Sequence, residues 1–380
     1  MRRSTLRTAI ALVTAGLTLS ACGSDGGGSG GGGGSDAATA TSAEDLGGMD
    51  ALVTAAQKEG ELNVIALPPS WANYQEMLDT FSKKYNIKIN SASPDGSSQD
   101  ELNAVTSQKG QDRAPDVLDL GTSFAKQAAG QDLLAPYEVA TWDDIPENQK
   151  DPKSRWYNDY GGFISIGCNT SVVAQCPTTM AALLDPRYKG QVALNGNPTQ
   201  AAAAFSGVWA AALSNGGSLD DIGPGIDFFV KLKDAGNFNP VESTPATVQS
   251  GETPISLDWD YVNAGLTKTL AADGVDWQVN VPSDGLFGSY YSQAISKFAP
   301  HPAAARLWQE FLYSDEGQNI WLKGLSRPVR LDAMTQAGTV DQTALAELPA
   351  VQGTVEFPDD AQQTAAQKVV ADRWNAEMSG

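Results

Sequence analysis

The run Asp258–Trp259–Asp260–Tyr261 places two carboxylates beside two aromatic rings, directly after an apolar segment at residues 254–257. Carboxylates form charge-assisted hydrogen bonds with an ammonium group, and aromatic faces attract such a group through cation–π contact. The run therefore predicts that at least one of these four residues binds the cationic end of a ligand. In the alternative interpretation, Asp258 caps the helix that follows and Tyr261 packs in the core.

The residues needed for common hydrolytic chemistry are scarce. His301 is the only histidine of the chain, and it lies between Pro300 and Pro302. Ser-His-Asp hydrolases and histidine-dependent metal hydrolases are therefore excluded, and no P-loop pattern precedes a helix. A secreted two-carboxylate glycan hydrolase is the alternative enzyme class, but no pattern marks a carboxylate pair. We expect a binding protein without catalytic residues, bound metal or cofactor.

Strand-like and helix-like segments alternate from residue 61 onward, which predicts an α/β fold with mostly parallel sheets flanked by helices. The roughly 330 residues beyond the amino-terminal segment exceed the usual size of one compact domain, so we expect two lobes. A capping box at Ser98-x-x-Glu101 is predicted to open one helix. Strands are predicted at residues 61–67, 86–93, 116–121, 161–169, 189–194, 254–259, 277–282 and 289–296. Helices are predicted at residues 71–85, 199–214, 259–272, 302–313 and 314–323, with a polar, helical carboxyl-terminal tail.

Polar and aromatic residues follow several of these predicted strands. Ligands bind at the carboxyl ends of the strands in open α/β sheets, so these positions are candidate ligand contacts. Thr122 and Thr199 have an alternative role as helix N-caps, which is compatible with ligand binding because a helix N-terminus also presents N–H groups to an anion. Trp71 has an alternative role in the core. Besides residues 258–261, the candidates are Ser70, Trp71, Asp95, Thr122, Ser123, Asn197, Thr199, Gln200, Tyr290 and Tyr291.

The amino-terminal residues have the pattern of an export signal. Three arginines precede the short apolar stretch at residues 8–20, which is too short to span a bilayer as a helix. The run Leu19–Ser20–Ala21–Cys22 resembles a bacterial lipobox, which implies a signal peptide at residues 1–21 and lipidation of Cys22. The alternative is a plain signal peptide with an incidental cysteine. The Gly/Ser-rich residues 22–48 are predicted to form a flexible tether, which anchors the protein to the outside of the cell membrane.

Charge and cysteine content are consistent with export. The formal net charge of −20 repels nucleic acid and anionic membrane surfaces, and it suits a soluble monomer that binds no nucleic acid. Cys168 and Cys176 are predicted to form a disulfide, since disulfides persist outside the cytoplasm. Two small buried thiols are the alternative, and two cysteines are too few for a zinc site.

Four segments carry a family resemblance: residues 113–125 (RAPDVLDLGTSFA), 185–205 (with DPRYKG), 250–265 (with SGETPI) and 292–318 (with APHP and SDEGQ). In this order they resemble the type II periplasmic-binding-protein family, in the branch of spermidine/putrescine-binding and ferric-ion-binding proteins. The resemblance covers roughly residues 60 to 335. It implies two lobes that close on a small-molecule ligand and deliver it to the permease of an ABC transporter. We expect lobe 1 at residues 49–165 and 288–330, and lobe 2 at residues 166–287 and 331–380, with crossings near 160–168 and 283–292.

The resemblance leaves the ligand open. Ferric-binding relatives have adjacent tyrosines where this chain has Trp259–Asp260–Tyr261, so only one tyrosine matches. Tyr290 and Tyr291 fall instead where polyamine binders carry an acidic residue, and only one of the two should face the cleft, because adjacent strand residues point to opposite faces. Arg330 is a candidate contact for a ligand carboxylate or phosphate, with surface charge as the alternative. We expect a small amino-bearing solute, either a polyamine or a zwitterion, with ferric ion as the alternative.

Overall fold

The computed structural model describes residues 35–353, 355 and 357–379. The predicted signal peptide at residues 1–21 and the predicted lipidation site at Cys22 lie outside these residues. The strands are β1 Glu61–Ile65, β2 Lys88–Ala92, β3 Val117–Gly121, β4 Leu134–Ala135, β5 Tyr157–Asn169, β6 Val192–Leu194, β7 Ile255–Trp259, β8 Trp277–Asn280, β9 Gly288–Ser296 and β10 Arg327–Pro328. The helices are α1 Ser35–Thr39, α2 Met49–Glu59, α3 Tyr74–Tyr85, α4 Ser98–Ser107, α5 Thr122–Gly130, α6 Ala202–Ser214, α7 Gly223–Asp234, α8 Pro245–Ser250, α9 Asp260–Ala272, α10 Pro302–Leu312, α11 Asp315–Lys323, α12 Leu331–Ala337, α13 Gln342–Ala346 and α14 Asp360–Met378.

Strand β5 connects the two halves of the molecule. Its first part, to Phe163, pairs with β9, and its second part, from Ile164, pairs with β7 and β8. The larger sheet has the order β3-β9-β5-β7-β6, with β4 beside β9 and with β8 and β10 beside β5. We call β1 to β4, β9 and β10 with their helices the first half, and β6 to β8 with α6 to α9 the second half. The change of partner within β5 falls in the predicted crossing near residues 160–168.

The predicted α/β class is confirmed, but most strand directions differ from the prediction. Among the strands that the structure describes, β1 pairs with β2 and β6 pairs with β7 in parallel. The other pairings are antiparallel. The reason is that every one of these pairings involves β5 or β9, which run in the direction opposite to their neighbours. Periodicity along one strand carries no information on the direction of its partner.

Helix α3 illustrates why these segments form the predicted elements. Tyr74, Met77 and Phe81 recur at helical spacing and are buried, so one face of the helix covers the core. The ring of Phe81 lies 5.0 Å from that of Trp308 in α10, edge to face. The helix ends at Asn86, whose φ of 54° is left-handed, a conformation that asparagine tolerates better than most residues.

Helix α6 is buried on all sides from Ala202 to Ala212. Its small side chains let α7 approach closely, and a Cβ at Gly225 of α7 would collide with the carbonyl oxygen of Val208. This close packing fixes the amino-terminal end of α6, which lies at the edge of the sheet where β6 and β7 end. The disulfide between Cys168 and Cys176 closes the loop that follows β5 in the same half.

The predicted tether at residues 22–48 differs from the structure at its carboxyl end. Ala37, Ala40 and Ala43 are buried. The Arg306 guanidinium of α10 is also buried and donates hydrogen bonds to the carbonyl oxygens of Ala40, at 2.8 Å, and Ala38, at 3.2 Å. Residues 37–46 are therefore part of the folded body, because their alanines and free carbonyl groups fit the surface of α10.

The assignment of residues 331–380 to lobe 2 is also wrong in part. Helices α12 and α13 pack on α11 of the first half, where Met334 and Val340 cluster with Leu322. Asn319 of α11 also donates a hydrogen bond to the carbonyl oxygen of Thr339 at 2.9 Å. Only α14 packs on the second half, through α7. Within the described residues, no helix combines the length and apolar character that a membrane span requires.

Candidate ligand-binding cleft

A cleft lies between the two halves at the carboxyl ends of several strands. The first half contributes the segments after β1 and β2 and the end of β3, and the second half contributes the segment after β6, the start of α6 and the end of β7. Its volume is about 140 Å³, similar to the roughly 150 Å³ of an engineered protein cavity that binds benzene. The cleft therefore has room for a small organic solute.

Five carboxylates line this cleft, three from the first half and two from the second. Those of the first half are Asp95, Glu101 and Asp119, and those of the second half are Glu242 and Asp258. Among the residues that the structure describes, none of those lining the cleft is lysine, arginine or histidine. The cleft is therefore acidic on both of its walls.

Asp119 is held by a buried network in the first half. Tyr160 donates a hydrogen bond to Asp119 Oδ2 at 2.6 Å, and Gln293 donates one to Oδ1 at 3.0 Å. Burial nevertheless raises the pKa of Asp119 to about 7. Glu101 accepts a hydrogen bond from the backbone N–H of Asp119 at 2.9 Å. Burial, and then the charge of Asp119, raise the pKa of Glu101 well above its usual range.

Asp258 is the corresponding buried carboxylate of the second half. Asn195 donates a hydrogen bond to its Oδ2 at 2.6 Å, and the backbone N–H of Trp259 donates one to its Oδ1 at 2.7 Å. Burial raises the pKa of Asp258 to about 7. Burial, and then the charge of Asp95 across the cleft, raise the pKa of Glu242. Each half thus holds acidic groups that a nearby positive charge would stabilise in their ionised form.

Trp71 and Tyr291 form the aromatic part of the wall. The indole N–H of Trp71 donates a hydrogen bond to the hydroxyl of Tyr160 at 2.9 Å. The rings of Trp71 and Tyr291 meet edge to face at 5.7 Å, and Tyr160 stacks on Tyr291 at 5.6 Å. These contacts fix the orientation of both rings, so that they can offer a rigid surface for cation–π contact.

The structure brings five of the predicted contacts to the cleft: Ser70, Trp71, Asp95, Asp258 and Tyr291. Thr122 and Ser123 instead line a separate narrow space, together with Trp259 and Tyr290. Thr122 donates a hydrogen bond to the carbonyl oxygen of Tyr290 at 2.9 Å, so it fastens α5 to β9.

The predicted contacts after β6 do not reach the cleft. Asn197 Oδ1 accepts hydrogen bonds from both the backbone N–H and the hydroxyl of Thr199, at 2.9 Å each. Asn197 and Gln200 are exposed, and this turn orients the start of α6. Asn195, two residues nearer to the strand, contacts the cleft in their place.

Asp260 is a correction to the predicted ligand run. Its Oδ2 forms an ion pair with Arg327 at 2.7 Å, and its Oδ1 accepts hydrogen bonds from the backbone N–H groups of Phe163 and Tyr261, at 3.0 Å each. Trp259 and Tyr261 are both buried and stack on each other at 6.3 Å. Of the four residues in the run, only Asp258 therefore lines the cleft. The three that follow are buried in the packing next to it.

Arg330 is a second correction. Its guanidinium is buried and forms ion pairs with Asp144 at 2.6 Å and Asp315 at 3.0 Å. A third hydrogen bond, of 2.6 Å, goes to the carbonyl oxygen of Tyr313. These bonds occupy the guanidinium within the first half, away from the cleft.

Tyr290 and Tyr291 point to opposite sides, as the alternation of a strand requires. Tyr291 lines the cleft, whereas Tyr290 packs against Phe357 at 5.6 Å between ring centres. Of the tyrosines considered for ferric ion, Tyr291 is therefore the one at the cleft. No group of three or more His, Cys, Asp or Glu side chains within the described part of the chain is arranged to hold a metal ion.

Three carboxylates that line the cleft were not predicted as ligand contacts from the sequence. Glu101 was assigned to a capping box, but the box consists of Ser97 and Asp100, which leaves Glu101 facing inward. Asp119 lies inside the apolar strand β3, and a charged residue at such a position is a signal that could have been used. Glu242 lies in an irregular loop with no distinguishing pattern.

The family model for bacterial extracellular solute-binding proteins matches residues 112–348. The chain belongs to this family. Its members bind solutes for transport rather than transform them, so the protein is a solute-binding component of an ABC transporter and not an enzyme. No functionally curated protein matches the chain by sequence.

Solved structures of periplasmic binding proteins share the fold. AfuA from Actinobacillus pleuropneumoniae, with fructose-6-phosphate bound, has 20% identity and a TM-score of 0.66 over 84% of this chain and 98% of its own. AgtB from A. tumefaciens R10, in complex with agropinic acid, has 18% identity and a TM-score of 0.66 over 84% and 99%. Iron-bound HitA from Pseudomonas aeruginosa has 19% identity and a TM-score of 0.58 over 82% and 98%. Identities this low establish the two-lobed fold and leave the solute to be argued from the cleft.

Proposed function

We propose that this protein captures a small amino-bearing organic solute in the acidic cleft and delivers it to the permease of an ABC importer. The observation that carries the proposal is the set of five carboxylates on both walls of the cleft. An ammonium group satisfies such carboxylates through charge-assisted hydrogen bonds, and the rings of Trp71 and Tyr291 add cation–π contact.

The halves are connected in a way that suits hinged closure. Strands β5 and β9 lie where the two halves meet, and β5 changes partner between Phe163 and Ile164. A ligand that contacts Asp119 in one half and Asp258 in the other favours the closed arrangement by its differential affinity. The solute therefore acts as the bridge between the halves.

The related structures bind chemically different solutes, so the class of solute has to be inferred from the residues that line the cleft. AfuA holds fructose-6-phosphate, and HitA holds iron. A phosphate would lie among like charges in this cleft, because its five acidic residues face no basic side chain within the described residues. A single cleft tyrosine likewise gives no support to a ferric site. The amino-bearing solute fits the observed lining better than either.

A thermal-shift panel of amines, amino acids, sugars, sugar phosphates and ferric salts tests the proposal. A ligand at 100 times its dissociation constant stabilises the folded protein by about 2.7 kcal/mol, which is readily measured. We expect the melting temperature to rise with at least one amine. A rise with sugars, sugar phosphates or ferric salts alone would refute the proposal.

We further propose that Cys22 carries a lipid that anchors the protein outside the cell membrane. The support is the lipobox-like run that ends at Cys22, followed by a Gly/Ser-rich stretch that can act as a flexible coil. Metabolic labelling with a radioactive fatty acid tests this. The unchanged protein should be labelled and Cys22→Ser should not, and equal labelling of both would contradict the proposal.

A further inference from the structure

We infer that the captured solute is a compact organic cation that carries no anionic group. The inference rests on the proposed function and narrows it, because it separates simple amines, guanidines and quaternary ammonium compounds from zwitterions. It follows from the charges that face the cleft and from the hydrogen-bond donors that are already occupied.

The cleft offers a ligand carboxylate no cationic partner. Its lining, as far as the structure describes the chain, contains acidic side chains and no basic ones. Arg330, which was predicted to contact a ligand anion, instead pairs with Asp144. Its neighbour Arg327 pairs with buried Asp260. A zwitterion would have to place its carboxylate beside acidic side chains with no basic partner, which disfavours its binding.

Helix N-termini are the other common partners of an anion. At three of those near the cleft, a side chain of the protein already accepts a hydrogen bond from the first turn. The start of α4 is covered by the capping box of Ser97 and Asp100, and the start of α8 by that of Thr244 and Thr247. Helix α9 begins with the carboxylate of Asp260, which accepts a hydrogen bond from its first turn. In each of these three helices one N–H group of the first turn is therefore already bonded to a side chain of the protein itself.

Helix α6 is the feature that favours an anion. It has no side-chain cap, and Ala202 and Ala203 of its first turn line the cleft. A helix N-terminus is equivalent to about half a positive charge, which is small beside five acidic groups in the same cleft. Asp258 and Glu242 belong to the same wall as this helix start, so the local field disfavours a ligand anion there.

The protonation behaviour of the buried acids fits a cationic occupant. Burial raises the pKa of Asp119 and of Asp258 to about 7, so neither carboxylate has a protein counterion that holds it fully ionised. A bound cation supplies that counterion and lowers both pKa values. A ligand carboxylate would have the opposite effect and would raise them further.

Matched ligand pairs, in which one member has a carboxylate that the other lacks, test the inference. We would titrate the full chain by calorimetry with cadaverine against lysine, agmatine against arginine, and choline against glycine betaine. At least one cation is expected to bind, and its zwitterionic partner is expected to bind at least about 100-fold more weakly. Asp258→Asn should weaken the cation by at least about tenfold. Asp234→Asn, which removes the same charge from an exposed position of α7, should change its affinity by less than about twofold.

The outcomes separate the inference from the proposed function. Equal binding of a cation and its zwitterionic partner, or tighter binding of the zwitterion, overturns the inference and leaves the amino-solute proposal standing. Failure of every amine in the panel, with binding of a sugar phosphate or a ferric salt, overturns both. If Asp258→Asn does not fold, Glu242→Gln at the cleft mouth gives the same comparison, and an unchanged affinity in that variant counts against the inference.

Discussion

Asp258→Asn is expected to make the ligand-free protein more stable above neutral pH and slightly less stable in acid. Asp258 is buried, and burial raises the pKa of its carboxyl from 3.8 to about 7. For a carboxyl whose pKa rises on folding, the folded state binds the proton more tightly than the unfolded chain. Its contribution to stability is therefore complete below about pH 4 and is lost as the pH rises through about 7.

The size of this effect follows from the two pKa values. The difference between 3.8 and about 7 corresponds to about 4 kcal/mol at 1.36 kcal/mol per pKa unit. Asparagine avoids this loss because it does not ionise. Its single carbonyl oxygen can accept from Asn195 or from the N–H of Trp259 but not from both, which costs about 1 kcal/mol. We expect a net gain of about 2–3 kcal/mol near pH 8.5 and a loss of about 1 kcal/mol near pH 4.

Urea unfolding followed by tryptophan fluorescence measures the free energy of unfolding of both proteins across this pH range. Asp234→Asn is the matched control, because it removes a carboxylate that is exposed on α7. The control should differ from the parent by a small amount that is similar at both ends of the range. If Asp258→Asn differs from the parent by the same amount near pH 4 and near pH 8.5, Asp258 does not titrate in the buried site and the reasoning fails.

Substitutions at three other sites address separate parts of the structure. Val262→Lys puts an ammonium group into the cleft wall and should abolish cation binding, whereas Val262→Met, of similar bulk but neutral, should keep most of it; calorimetry would show equal losses if bulk alone matters. Arg330→Met leaves Asp144 without its partner and should lower the free energy of unfolding by about 1–3 kcal/mol in urea, because that carboxylate is partly exposed. The solute affinity of this variant should stay within about twofold of the parent, and a larger change would return Arg330 to the binding site. Replacing Cys168 and Cys176 with alanine should cost about 2–3 kcal/mol, since the loop they close is short, and an unchanged urea midpoint would mean that the bond does not form.

Local patterns were sufficient to predict most of the elements. The apolar run at residues 116–121 became β3 at Val117–Gly121, and the helical spacing at residues 302–313 became α10 at Pro302–Leu312. Both segments carry their signal within a single element, as periodicity or as a proline at the start of a helix. The directions of β5 and β9 carry no such signal, because they depend on how the chain passes between the halves.

The binding site was predicted by position rather than by orientation. The rule that ligands meet the carboxyl ends of strands selected Trp71, Asp95 and Asp258, which line the cleft. It could not separate Asp258 from Asp260, because the chain turns from β7 into α9 between them and sends the second carboxylate to Arg327. Deciding which carboxylate meets a buried arginine requires the three-dimensional arrangement of segments far apart in sequence.

Glu101 and Asp119 show a second reason why the site is hidden in the sequence. Each looks like an ordinary part of its element, one in the first turn of a helix and one inside a strand. Their significance comes from being buried together, with the N–H of Asp119 bonded to Glu101 at 2.9 Å. Two acids buried side by side without a basic partner are unfavourable for folding alone, and this imbalance is the clearest physical mark of a binding site in the described structure.

With the hinged closure proposed above, the same imbalance connects solute binding to closure of the cleft. Asp95 and Glu242 face each other from opposite halves, and the charge of Asp95 raises the pKa of Glu242. Bringing the halves together therefore concentrates negative charge, which favours the open arrangement when the cleft is empty. A bound cation reverses the sign of this interaction, because it attracts the carboxylates of both halves at once. In the mechanism proposed above, the energy that opposes closure without a solute becomes part of the selectivity for a positively charged one. A zwitterion, which adds a negative charge to the same space, recovers much less of that energy.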